Sequence, residues 1–275
     1  MRAIWFLIFS VLCTTAAADN WRLQNPRIPF DYESGYETDV YQPLKRASQI
    51  WRLCIAYPHL KDAYWLSVNY GMVAEAARLG VAFKLVEAGG YPNLQRQIRQ
   101  AEGCVEGGAD ALILGTVSFA GLTGTVERIS AKVPVIAAVN DIADAGITAK
   151  VGVSWIEMGA VAGRIIAARH PKGTRPVKVA WFPGPENAGW VNFVEQGFRA
   201  ALAESSAVVA VTKYGDTGRE IQVRLVEEAL DEVQDLDYIA GSAPAAEAAV
   251  SVLRARGLQE KVHIVSDYMT HGVYR

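Results

Sequence analysis

Two successive sets of short apolar β runs, each alternating with helical segments, predict an α/β protein of two doubly wound parallel-sheet lobes. Two observations carry that fold class. The β runs are nearly continuous in Val, Ile, Leu and Ala, as strands covered on both faces are. The segments between them carry apolar residues at helical spacing and close on glycine, as at Gly80, Gly107-Gly108 and Gly257.

Taken in order, residues 1–18 read as a secretory signal peptide. Met1-Arg2 precedes an apolar run from Ala3 to Leu12, and Ala16-Ala17-Ala18 offers a cleavage site. The run is too short to span a bilayer, so no membrane insertion is expected. Val11-Leu12 suits a lipoprotein anchor at Cys13 poorly. Residues 19–48 hold Pro26, Pro29 and Pro43 with scattered aromatics and read as an irregular N-terminal extension.

The first lobe, 49–147, follows. A strand at 53–57 leads to a helix at 64–79 with Leu66, Tyr70, Val73 and Ala77 on one apolar face. Strand 81–86 leads to helix 94–106, strand 111–114 to a weaker helix at 122–129, and strand 133–139 ends the set. The second lobe, 148–268, repeats the pattern with strands at 149–153, 177–182, 208–214, 238–240 and 262–265. Its helices are expected at 156–169, 190–204 and 220–232. A last helix has Ser242 as N-cap, Pro244 near its first position and Gly257 after its end. Crossovers are expected near 141–150 and 267–268. Residues 269–275 read as the start of a further helix that returns to the first lobe. The expectation is a truncated chain, with the last part of the fold missing.

Composition excludes several classes. Net charge is -2 with the signs well mixed, and no basic stripe marks a nucleic-acid binder. His59, His170, His263 and His271 are scattered, no Cys/His spacing suits a metal, and no nucleophile elbow or phosphate loop occurs. Neither an enzyme nor a cofactor is expected. Beyond the leader two cysteines remain, Cys54 in the first strand and Cys104 on the inward side of the second helix. In an oxidising compartment an even pair predicts one disulfide; the alternative is two buried free thiols.

Placement of the aromatics suggests the function. Trp65, Tyr91, Trp155 and Tyr268 each follow the end of a predicted strand. Ligands of open α/β sheets bind beyond the carboxyl ends of the strands, so these residues are expected to wall one cleft between the lobes. Aromatic faces attract a methylated, positively polarised head. Tyr64 ranks below its neighbour Trp65, because adjacent helical residues point apart. Asp62 either serves the ligand or caps the helix, or does both. Asn187 reads as a turn residue, Asn140-Asp141 as a hinge, and Trp181 and Trp190 as ordinary core or surface residues, although both border the cleft-side loop 183–189.

The motifs KDAYWLSVNYGM (61–72), EAGGY (87–91), VGVSW (151–155), PGPENAG (183–189), GSAPAAEAA (241–249) and VSDY (265–268) resemble the TorT family of ribose-binding-type periplasmic binding proteins. The resemblance runs in order from Trp51 to Arg275. It implies the type I periplasmic binding fold with a ligand cleft between the lobes. It also implies trimethylamine N-oxide as ligand and the periplasmic domain of a TorS-like histidine kinase as partner. Asp62, Tyr64, Trp65, Tyr91, Trp155 and Tyr268 are its expected ligand-binding residues. The alternative is a substrate-binding protein of an ABC transporter for a sugar or quaternary amine, although strand-end loops poor in Arg speak against a sugar.

Overall fold

The computed structural model describes residues 21–274, so the expected signal peptide lies outside the described residues. The chain divides into two units, 1–46 and 47–275. In the first, β1 (Trp21–Pro26) pairs antiparallel with β2 (Tyr36–Tyr41), from Trp21 opposite Tyr41 to Pro26 opposite Tyr36. This corrects the expectation of an irregular extension. The alternation Trp21, Leu23 and Tyr36, Thr38, Val40 carries a strand period that the surrounding prolines mask.

The second unit contains two parallel sheets. One has the order β4-β3-β5-β6-β7, with β3 (Arg52–Tyr57), β4 (Ala82–Glu87), β5 (Ala111–Leu114), β6 (Val135–Ala138) and β7 (Ala149–Val151). The helices α1 (Ala63–Leu79), α2 (Leu94–Glu106) and α3 (Thr123–Ser130) connect its strands. The other sheet has the order β11-β10-β8-β9, with β8 (Val177–Gly184), β9 (Ala207–Tyr214), β10 (Tyr238–Gly241) and β11 (His263–Ser266). Its helices are α4 (Trp155–Arg169), α5 (Val191–Leu202), α6 (Arg219–Glu232) and α7 (Ala243–Arg256), and a short α8 (His271–Tyr274) follows. In each sheet the first strand is internal and the winding reverses beside it, between β3 and β5 and between β8 and β10. These are the switch points at which α/β sheets bind ligands.

The strand expected to open the second lobe instead completes the first sheet. Ala149, Lys150 and Val151 of β7 stand opposite Ile136, Ala137 and Ala138 of β6. The Lys150 ammonium holds this edge by pairing with Asp141 at 2.7 Å and Asp144 at 2.6 Å. Position before a helix suggested the second set, but strand pairing decides membership. The inward face of α1 also differs from expectation. Leu66, Tyr70 and Val73 are exposed, whereas Trp65 and Ala76 are buried and Val68 and Met72 pack toward Tyr57. The helix carries two apolar stripes, and periodicity alone does not choose between them. Ser242 takes the N-cap position of α7, yet its hydroxyl makes no capping bond.

Cys54 and Cys104 form a disulfide between β3 and α2. Among the described residues, no helix is long and apolar enough to cross a membrane.

The second lobe is built on close contact of α4 and α5. A Cβ at Gly197 would lie 1.9 Å from the Ile156 carbonyl oxygen, and one at Gly159 would lie 1.9 Å from that of Val194. The backbones touch because no side chain separates them. Gly197→Ala is therefore expected to lower stability by about 3 kcal/mol through overpacking. By contrast Gly71→Ala, at an open helical position, should raise it by ~1 kcal/mol. Denaturant midpoints measured on both variants check the pair.

Candidate functional site

Each aromatic wall is placed by a local signal. Asp62 caps α1, its Oδ1 accepting the Trp65 N–H at 3.0 Å, which fixes the first turn and aims the indole inward. Gly115, just past β5, gives that indole room, because a Cβ there would lie 2.4 Å from Trp65 Cη2. Ser154 caps α4 by accepting from Glu157 N–H at 3.2 Å, half of a Ser-x-x-Glu capping box, so Trp155 opens the helix at the cleft. Tyr91 follows β4 through Gly89-Gly90, and Tyr268 follows β11.

These side chains line one cavity. Asp62, Tyr64, Trp65, Tyr91, Trp155 and Tyr268 surround it, joined by Asn140, Trp190 and Thr217. The enclosed space is small, about 10 Å³ open to the centre of a water-sized sphere. Tyr64 and Tyr268 meet edge to face across the lobes at 5.3 Å, and Trp155 lies 5.3 Å from Trp190. Trp65, Trp190 and Tyr91 are almost wholly buried. Burial pushes the phenols up, Tyr64 to about 12 and Tyr91 and Tyr268 further, so all three keep their O–H protons.

Polar groups have fixed partners. The Trp155 indole N–H donates to the Val139 carbonyl at 3.1 Å, so Trp155 offers a face and not a donor. Tyr91 O accepts from Asn140 Nδ2 at 3.1 Å and from Trp190 Nε1 at 3.2 Å. Asn140, expected as a hinge, therefore turns its amide into the site, and Trp190, expected as core or surface, is a wall. Asn187 lies in a turn closed by the Ala188 N–H on the Pro185 carbonyl.

A buried polar latch joins the lobes beside the cavity. His59 Nε2 lies 2.9 Å from Thr217 Oγ1, and that hydroxyl donates to Asp62 Oδ2 at 2.9 Å. His59 Nδ1 accepts the Lys61 N–H at 3.3 Å, which assigns the proton to Nε2. Asp216 Oδ1 lies 3.9 Å from the ring, and Lys61 Nζ stands 3.9 Å from Asp216 Oδ2. Burial lowers the His59 pKa below its ordinary 6.5, outweighing the nearby Asp62 and Asp216 carboxylates. Asp267 is a second buried titrating group. Burial pushes its pKa up to about 8, outweighing the pull of the Asp267 and Tyr268 backbone N–H groups beside its carboxyl.

The residues that sequence reasoning missed stand where the second lobe repeats the first. Trp190 follows β8 as Trp65 follows β3, and Thr217 follows β9 as Tyr91 follows β4. Asn140 follows β6 as Tyr268 follows β11. Applying the strand-end rule to both lobes alike, and to polar as well as aromatic residues, would have found all three. Among the described residues, no group of His, Cys, Asp and Glu could hold a metal.

Two doubly wound lobes closing strand ends over a small cavity define a ligand-binding protein of the two-lobed kind. The chain belongs to the periplasmic binding protein family, whose domain model matches residues 53–275, and the family consists of binding proteins rather than enzymes. It is 40% identical to the periplasmic protein TorT of Escherichia coli O157:H7 over all of this chain and 77% of that one. Among solved structures, an ABC transporter solute-binding protein from Bradyrhizobium sp. BTAi1 with bound Bis-Tris is 46% identical. It covers 95% of this chain and 79% of its own, with a TM-score of 0.75. The complex of the TorS sensor domain and TorT in the presence of TMAO is 41% identical over 82% of this chain and 76% of that one, TM-score 0.70.

Two pH responses follow. A histidine whose pKa is lowered on folding takes up protons more readily when unfolded. Stability is complete above about 6.5 and falls as the pH drops through the lowered value. Melting curves from about pH 7.5 to 5 should show a smaller loss for His59→Gln than for the parent protein. Asp267 has the opposite sign, because its raised pKa favours the folded state at low pH and the advantage is lost as pH rises from about 4 toward 8. Asp267→Asn should therefore raise the melting temperature by several degrees at pH 8 and by little at pH 4.

Proposed function

We propose that this chain is a periplasmic sensor that binds trimethylamine N-oxide between its lobes and docks on the periplasmic domain of a TorS-like histidine kinase. Residues 1–18 act as a cleaved signal peptide, and the chain passes from the first lobe to the second at 152–154, between β7 and α4. The observation that carries the reading is a box of aromatic faces that also presents the protonated hydroxyls of Tyr64, Tyr91 and Tyr268. Trimethylamine N-oxide has no net charge, three positively polarised methyls and one strongly negative oxygen. Aromatic faces hold the methyls, more firmly where water is excluded, and the donors meet the oxygen. The ligand joins walls from both lobes and stabilises the closed state by its differential affinity. The similarity to TorT, and to its complex with the TorS sensor domain, supports the partner.

A second reading is favoured by one observation: the 46% identical Bradyrhizobium protein is described as an ABC transporter solute-binding protein. Calorimetric titration with trimethylamine N-oxide, betaine and ribose separates the two. Saturable binding of the N-oxide is expected, weakened on the order of 30-fold by Trp65→Ala or Trp155→Ala, a loss of about 2 kcal/mol for one desolvated aromatic wall. Binding of betaine or ribose without the N-oxide supports transport instead. Complex formation with the kinase ectodomain should change with ligand; indifference to ligand counts against sensing.

A further inference from the structure

The Tyr91 hydroxyl is surrounded by donors. Asn140 Nδ2 and Trp190 Nε1 both donate to it, and the Trp65 indole N–H also faces the same oxygen. Neither bonded donor can be reversed. An indole nitrogen only donates. The Asn140 amide is held the same way round because its Nδ2 also donates to the Thr116 carbonyl at 2.8 Å, where an amide oxygen would be repelled. A phenol oxygen accepts with its lone pairs and donates one proton. With the lone pairs engaged, the remaining capacity of Tyr91 is its O–H. Asp62 is the carboxylate that lines the cavity; it accepts from Trp65 N–H and Thr217 Oγ1, and it influences Tyr91 by its charge and not by a hydrogen bond.

The backbone is strained to hold this arrangement. Val139 has φ +72°, and the Asn140 N–H donates to the Ala138 carbonyl at 2.9 Å, a γ-turn of the rare positive-φ kind. A β-branched residue occupies that region only under constraint from its surroundings. The turn presents the Val139 carbonyl to Trp155 Nε1 and places the Asn140 amide on Tyr91, so one distortion serves two walls of the box.

We propose that Asn140 and Trp190 are positioning residues that fix the Tyr91 hydroxyl as a hydrogen-bond donor to the ligand's oxygen. In this way they select a neutral oxygen-bearing ligand over a methylated cation of the same shape. The inference rests on the N-oxide reading and adds to it the atom that discriminates. Trimethylamine N-oxide and tetramethylammonium share a tetrahedral shape, with a methyl in place of the oxygen in the second. A pre-set donor rewards the first alone.

The test is calorimetric titration of the folded protein and its variants with those two probes. Trp190→Phe keeps a ring and removes the N–H. Asn140→Asp puts an acceptor where the donor was, so the Tyr91 proton turns to the carboxylate. The parent protein should prefer the N-oxide by at least tenfold. Both variants should weaken N-oxide binding, Asn140→Asp by at least tenfold and Trp190→Phe severalfold, while tetramethylammonium binds as well or better. Equal loss of both probes, or no loss of the N-oxide, overturns the proposal. If the parent binds neither probe, the N-oxide reading itself fails, and this selectivity with it. A second measurement needs no ligand. In the nitrogen-15 indole spectrum, Tyr91→Phe should shift the Trp190 N–H signal and leave that of Trp155, bonded to Val139, in place. An unmoved Trp190 signal overturns the network.

Discussion

One carboxylate organises the site. Asp62 caps α1 through one oxygen, and through the other it accepts a hydrogen bond from Thr217 of the opposite lobe. The first bond fixes the turn that carries Tyr64 and Trp65. The second ties that turn to the lobe that carries Trp155, Trp190 and Tyr268. Helix start, aromatic wall and lobe contact thus share one side chain, and a half-buried carboxylate is tolerated there because both oxygens accept hydrogen bonds. The two alternatives that the sequence leaves open for Asp62, cap or site, are not exclusive.

The electrostatics of the cavity follow from the burial of its side chains. Phenols held far above neutral pH remain donors, and His59 remains uncharged although Asp62 and Asp216 stand near it. A fixed positive charge in the box would repel the methyl end of the proposed ligand. The latch supplies polar contact across the lobes without adding one. Its cost is a sensitivity to acid that a wholly apolar contact would lack.

Much of this architecture is legible in the sequence, for definite reasons. Strands buried on both faces announce themselves as short apolar runs, and the two helix starts that deliver Trp65 and Trp155 to the cleft carry a recognisable capping residue, Asp62 and Ser154. Other features depend on pairing in space. The edge strand β7 reads equally well as the first strand of a new lobe until its register with β6 is known. The stripe Leu66, Tyr70 and Val73 looks like a core face because α1 is apolar on two sides. Asn140 reads as a hinge because nothing in sequence marks the positive-φ turn at Val139 that rotates its amide inward. The hairpin strands β1 and β2 were hidden by prolines at their margins.

The short connection between β7 and α4 has a mechanical meaning. β7 is the last strand of the first sheet, and Trp155, a wall of the box, is the first residue of α4. Only Gly152, Val153 and Ser154 separate them. A ligand bound as proposed would therefore press on the chain close to its crossing between the two sheets and not at the tip of a long arm. Behind that ring α4 touches α5 backbone to backbone, at Gly159 and Gly197, so a force on Trp155 meets a stiff pair of helices and not a lone one. A molecule of a few heavy atoms can in this way command the attitude of a body many times its size.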